Sequence, residues 1–195
     1  MELFNLIGYG SLPLVQNRQK IKERLLASLL APYSQGKAPA VEVFSDSYGA
    51  PHVCLDQPGD CFVSFSYCKD RLWAVLAAGV SVGIDVETPV NFPDFYPVSK
   101  VFTPGETTIM DGLFCNRNSG SAALWSCKEA VVKARRTGFL DIAPRDVEII
   151  AMSRHCDYHH VEIRAGQVTY FAILKKKGSL WCAIAYPVLP TIKPA

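Results

Sequence analysis

The sequence predicts an α+β fold in which antiparallel sheets pack on helices, and three observations carry that prediction. Residues 61–66, 72–78 and 80–87 are short apolar segments in close succession, each with the length and residue choice of a strand. Residues 147–151, 159–164, 168–174 and 180–185 alternate in the same way and are separated by turn residues such as Ala165-Gly166 and Lys176 to Gly178. Two stretches, 17–30 and 119–136, have helical period instead. Runs of strands with helices between the runs belong to the α+β class.

Composition bounds what such a fold can do. The 195 residues suffice to bury a substantial core, in one domain or in two small ones packed together. Apolar residues make up 49% and charged residues 19%, which excludes a disordered chain. Twenty Lys and Arg against eighteen Asp and Glu leave a net charge of +2, so charge makes no case for a nucleic-acid partner. The seven cysteines are odd in number and none are spaced C-x-x-C, so reduced thiols in a cytoplasmic protein are expected. The first residues lack a basic region followed by an apolar run, and no stretch approaches the roughly 18 apolar residues of a membrane span. A soluble protein without membrane contact is expected.

Taken in order, an apolar segment at 3–7 reads as a strand running into a loop with Gly8, Gly10 and Pro13. Asn17 caps a helix to about Leu30, with Ile21, Leu25, Leu26 and Leu29 on one side and the cations Arg18, Lys20, Lys22 and Arg24 as a solvated face. A Pro- and Gly-bearing loop leads to a strand at 41–44 and a turn at 47–52. Thr88-Pro89 stops the strand at 80–87, and the proline-interrupted stretch 91–97 is the expected boundary between residues 1–90 and 91–195. Helical turns at 99–102 and 104–113 place Glu106 in a first turn, where the helix dipole favours an acid. Ser119 or Ser121 caps the long helix, and Thr137-Gly138 ends it after Arg136. His155, His159 and His160 read as surface or strand-edge histidines, and Lys175 to Lys177 as a solvated hairpin end.

Two stretches carry chemistry. In Val82-Gly83-Ile84-Asp85-Val86-Glu87 the acids stand two apart, so a strand presents both carboxylates on one face. In the stretch from Leu124 to Lys133, Glu129 and Lys133 stand four apart and share a helix face. Three carboxylates converging with a lysine would form an oxygen-ligand site for a divalent cation, with an ammonium beside it for phosphate. The plain alternative is an exposed helix pair of roughly 0.3 kcal/mol, with the strand acids in structural ion pairs. Lys128 and Glu129 point about 100° apart, so they need not share a role.

The segments GIDVE (83–87) and WSCKEAVVK (125–133), with Phe102-Thr103-Pro104-Gly105-Glu106 between them, resemble the signature of the surfactin-type 4'-phosphopantetheinyl transferases. That family's patterns are G-I/V-D-x-E and W-x-x-K-E-x-x-x-K. The resemblance implies two similar α+β halves in a pseudo-twofold arrangement within one chain, and therefore a monomer. It implies transfer of the 4'-phosphopantetheine arm of coenzyme A to a serine hydroxyl of an acyl or peptidyl carrier protein, with release of adenosine 3',5'-bisphosphate. Asp85, Glu87 and Glu129 would then hold Mg²⁺ or Mn²⁺, and Lys133 and Lys128 would face the phosphates, Lys128 alternatively pairing with a carboxylate. Glu129 or a water near it would take the serine proton, with Glu106 the other candidate.

The same resemblance places Arg24 on the 3'-phosphate of coenzyme A, Gly49 and Pro51 along its adenine end, and Ser64 on the strand beside its phosphates. Ala50 stands where the family's G-K/R-P turn has a base, and Phe65 where its S-H-S strand has a histidine. A phosphate contact is thus lost or transferred to another group. Phe92, Phe95, Tyr96 and Phe114 are candidates for an apolar carrier-binding surface, and Lys100, Arg117, Arg135 and Arg136 for a basic one that suits acidic carriers. Ala50 and Phe65 also motivate another reading, a non-catalytic relative that binds a carrier or nucleotide without turnover.

Overall fold

The computed structural model describes residues 6–14, 17–33, 40–55, 60–92 and 98–188. The first half runs β1 (Leu6–Pro13), α1 (Arg18–Leu30), β2 (Val41–Ser45), β3 (Pro51–Leu55), β4 (Cys61–Cys68) and β5 (Arg71–Ala78). The second runs β6 (Gly83–Glu87), α2 (Val98–Val101), α3 (Pro104–Leu113), α4 (Arg117–Arg135), β7 (Val147–His155), β8 (Tyr158–Ala165), β9 (Val168–Lys177) and β10 (Leu180–Pro187). The strand orders are β1-β5-β4-β3-β2 and β6-β10-β9-β8-β7, antiparallel throughout. Each half is therefore one strand, a helical crossover and a four-stranded meander whose last strand returns beside the first. The fold is α+β with two similar halves, as expected.

The halves part within residues 79–82, not at 90, because β6 pairs with β10 and packs under α4. The sequence marks β6 as a strand but not which sheet offers it a free edge. Gly8 and Gly10, expected in a loop, lie in β1, where Leu29 of α1 packs over both. Pro51 and His52, expected in a turn, open β3. The cap of α4 is Asn116, whose side chain accepts from the Ser119 amide at 2.8 Å, so the serine expected to cap is the residue capped. Phe95 and Tyr96 lie outside the described residues.

Three apolar clusters hold these layers. Ile21, Leu25 and Leu26 of α1 bury against Leu72 and Leu76 of the first sheet. Leu124, Val131 and Val132 of α4 bury against Ile163 and Leu174 of the second. Between the halves, Trp73 and Val75 meet Ile84, Val86, Cys182 and Tyr186. At this seam β6 is an edge strand, and its outward N–H groups need acceptors. The Ile84 and Val86 amides donate to the hydroxyls of Ser64 and Ser66 on β4, each at 3.1 Å. Among the described residues no helix is long and apolar enough to cross a membrane.

Gly83 fixes how closely β6 approaches α4. A Cβ there would stand 1.9 Å from the Ala130 carbonyl oxygen and 2.6 Å from the Ala134 amide nitrogen, both backbone atoms of a buried helix. Gly83→Ala is therefore expected to lower stability by about 3 kcal/mol, at the upper end of overpacking penalties. Urea denaturation followed by circular dichroism measures this, and an unchanged midpoint would refute it.

Candidate active site

Asp85 of β6 is 2% exposed and receives the Lys133 ammonium of α4 at 2.5 Å and the Ser66 hydroxyl of β4 at 3.0 Å, both on Oδ1. The Lys133 ammonium also lies 3.6 Å from Glu129, one helical turn away. Glu87, two residues along β6, accepts from the Asn91 side chain at 2.9 Å. The structure thus brings Asp85, Glu129 and Lys133 together, with Glu87 on the same strand face.

The charges in this cluster are unbalanced. Burial, and then the Asp85 charge, pushes the Glu129 carboxyl up to about 7 against the opposing pull of Lys133. Burial and Asp85 also raise Glu87, against the Asn91 hydrogen bond. Burial acts to lower Lys133, but Asp85 and Glu129 outweigh it and hold the ammonium above its ordinary value. Asp85 Oδ2 is buried without a hydrogen-bond partner among the described residues. A divalent cation supplies what this orphaned oxygen and the raised carboxyls lack, so the donor set fits one. As the side chains stand, no three His, Cys, Asp or Glu groups among the described residues are arranged to hold an ion.

Lys133 also lines a cleft of about 260 Å³ between the halves, together with Gly49, Pro51, Ser64, Lys22 and Arg136. Lys22 of α1 sits 5.1 Å from the centre of the Phe65 ring, and its pKa is lowered by burial and by Arg18. Arg136 follows α4 with a left-handed backbone, φ 67°. Its Nη2 donates to the Pro51 carbonyl at 3.0 Å and stands 2.8 Å from His52 Nε2. Asp46 closes the β2–β3 turn by accepting from the Tyr48 and Ala50 amides, and lies 3.0 Å from the same His52 nitrogen.

Several expected site residues are placed elsewhere. Arg24 is exposed and does not line the cleft. Residues two apart lie about 200° around a helix, so the turn that brings Lys22 to Phe65 carries Arg24 away. Lys128 is fully buried, and its ammonium meets Glu106 at 2.7 Å and the carbonyls of Pro144 and Val147 at 2.9 and 2.5 Å. Of the two roles open to it, pairing with a carboxylate is the one built. Glu106 is equally buried and receives the Ile149 and Thr103 amides at 2.8 and 2.7 Å, the latter as part of a capping box on α3. Its carboxylate joins α3, α4 and β7 and has no opening to the cleft. Phe92 is a core residue, whereas Phe114 is half-buried against Trp181. Arg135 is engaged with Asp141 at 2.7 Å.

Sequence reasoning missed Ser66, Lys22, Asp46 and His52, and read Arg136 as carrier-facing surface. Ser66 had a signal, since it shares a strand face with Ser64. Arg136 had none, because a left-handed residue after a helix is normally announced by Gly or Asn.

A cationic cleft whose lysine also pairs with clustered carboxylates suits a protein that handles phosphate groups. Residues 81–185, more than half of the chain and all of the second sheet's core, match the family model described as the 4'-phosphopantetheinyl transferase superfamily. The chain belongs to that superfamily and is a transferase by class. No curated protein matches it.

Two measurements check the electrostatics. Glu106→Ala strands the Lys128 charge in the core and is expected to cost about 3–5 kcal/mol in a urea titration. In the metal-free protein Glu129 keeps its proton up to about pH 7 when folded but releases it near its ordinary 4.5 when unfolded. Between those values the unfolded chain binds fewer protons, so this group makes stability fall as pH rises, and below 4.5 it contributes nothing. Thermal unfolding in chelator at pH 4.5 and pH 7 should show a smaller loss for Glu129→Gln than for the parent protein, and equal losses would refute the shift.

Proposed function

We propose that this chain is a surfactin-type 4'-phosphopantetheinyl transferase, a monomer that moves the phosphopantetheine arm of coenzyme A onto a serine of an acyl or peptidyl carrier protein. The observation that carries the reading is the position of Lys133, which touches Asp85 and Glu129 and also lines the cleft with Gly49, Pro51 and Ser64. One ammonium thus joins a carboxylate cluster to a cleft able to take an anionic substrate. Monomer action follows because one chain supplies both walls of the site. Seven unpaired thiols accord with a cytoplasmic protein.

Asp85, Glu87 and Glu129 would hold Mg²⁺ or Mn²⁺, whose charge offsets that of the pyrophosphate. Ser66 fixes Asp85 by donating to Oδ1 while accepting from the strand amide of Val86. The carrier's serine oxygen attacks the phosphorus that bears the pantetheine arm. The bond from that phosphorus to the bridging oxygen breaks, and adenosine 3',5'-bisphosphate leaves with the bridging oxygen. The serine proton passes to Glu129 or to a water near it. Lys133 offsets the charge gained by the leaving group. Glu106 and Lys128 take no part in this step and hold α4 in place. Phe114, Lys100 and Arg117 remain the carrier-facing candidates.

The non-catalytic reading draws on Phe65 and on Ala50, which is buried at 8% exposure beside the cleft. Intact mass spectrometry separates the two. An apo carrier incubated with the protein, coenzyme A and Mg²⁺ is expected to gain one phosphopantetheine, with no gain in chelator and at least a hundredfold slower gain with Glu129→Ala. Bound coenzyme A without transfer to fatty-acid, polyketide or peptidyl carriers would establish the non-catalytic alternative.

A further inference from the structure

Arg136 combines three features that the transfer chemistry does not require. Its backbone is left-handed at φ 67°, a conformation unfavourable for a residue with a Cβ. Its side chain crosses from the end of α4 to the first half, where Nη2 meets the Pro51 carbonyl and His52, and the guanidinium carbon lies 5.9 Å from the centre of the Phe62 ring. It lines the same cleft as Lys133 without touching the carboxylate cluster.

We propose that Arg136 is the specificity-determining residue for the ribose-borne phosphate of coenzyme A, the phosphate that stays with the leaving group. The inference rests on the coenzyme reading above. Coenzyme A presents two anionic centres, a pyrophosphate and a 3'-phosphate. Lys133 is bound to Asp85 and Glu129, so its end of the cleft belongs to the pyrophosphate. Arg136 lies three residues beyond Lys133, just past the end of α4, on the side of Gly49 and Pro51. That is a separate position for a second phosphate.

Asp46 and His52 prepare Arg136 for this. His52 Nε2 stands between the Asp46 carboxylate and the Arg136 guanidinium, and one ring nitrogen serves only one of them: it donates to the acid or accepts from the arginine. Asp46 is held below the usual carboxylate range, first by its His52 hydrogen bond, which outweighs the opposing effect of burial, and further by the Ala50 and Tyr48 amides. It is therefore occupied by its own turn, and its oxygen lies 3.8 Å from Arg136. Arg136 Nε and Nη1 have no partner among the described residues, which leaves a planar donor edge for phosphate. Arg24, the arginine that sequence alone suggests for this phosphate, is outside the cleft.

Calorimetric titration of the full chain with coenzyme A and with 3'-dephospho-coenzyme A, in Mg²⁺, tests the assignment. The parent protein is expected to bind coenzyme A about tenfold or more tightly than the dephospho form, the value of a charged hydrogen-bonded contact. Arg136→Gln should erase that preference by weakening coenzyme A alone. Arg136→Gly should do the same while leaving the melting temperature unchanged or raised, since glycine relieves the left-handed backbone. Equal weakening of both ligands would mean a structural strap and would overturn the proposal, as would a parent protein that does not discriminate or variants that keep the preference. Absence of binding by the parent to either ligand would remove the coenzyme reading itself, and this assignment with it.

Discussion

The structure depends on how β6 is held. It is five residues long, lies at the edge of its sheet, and must satisfy amides on the side that β10 does not cover. Two serine hydroxyls from the other half accept them, and a glycine lets the strand rest on the α4 backbone. The strand is thereby fixed from three directions, by β10, β4 and α4. Asp85 is carried to a place where both halves and the long helix meet, so the seam and the site are one construction.

The motif on α4 divides its work by helical geometry. Lys128 and Glu129 are neighbours in sequence but diverge by about 100° around the axis. Lys128 is driven into the core, where Glu106 and two carbonyls replace its water. Glu129 and Lys133 emerge on the face toward β6. Burial, and after it the Asp85 charge, raises the carboxyls of Glu87 and Glu129 there. A buried ion pair anchors the helix so that a second, unbalanced set of charges can be held beside it.

The cleft shows a related substitution of means. Phe65 supplies no donor toward it, but its ring lies under the Lys22 ammonium, and Arg136 reaches in from the opposite half. The positive charge of the cleft thus comes from a helix face and a helix end, beside Lys133.

Sequence alone determined the α+β class, the two carboxylates of β6, the Glu129–Lys133 pair and the place of Glu106 in the first turn of α3. Each is a local matter of period or spacing, two for a strand and about 3.6 for a helix, which residue order encodes directly. It did not determine the sheet to which β6 belongs, the burial of Lys128 with Glu106, the exclusion of Arg24 from the cleft or the entry of Arg136 into it. Those depend on which edge a strand meets and which side of a helix the core covers. Pairings between residues as distant as Ser64 and Ile84, or Pro51 and Arg136, leave no periodic trace in the chain, because they are decided only when the two halves pack.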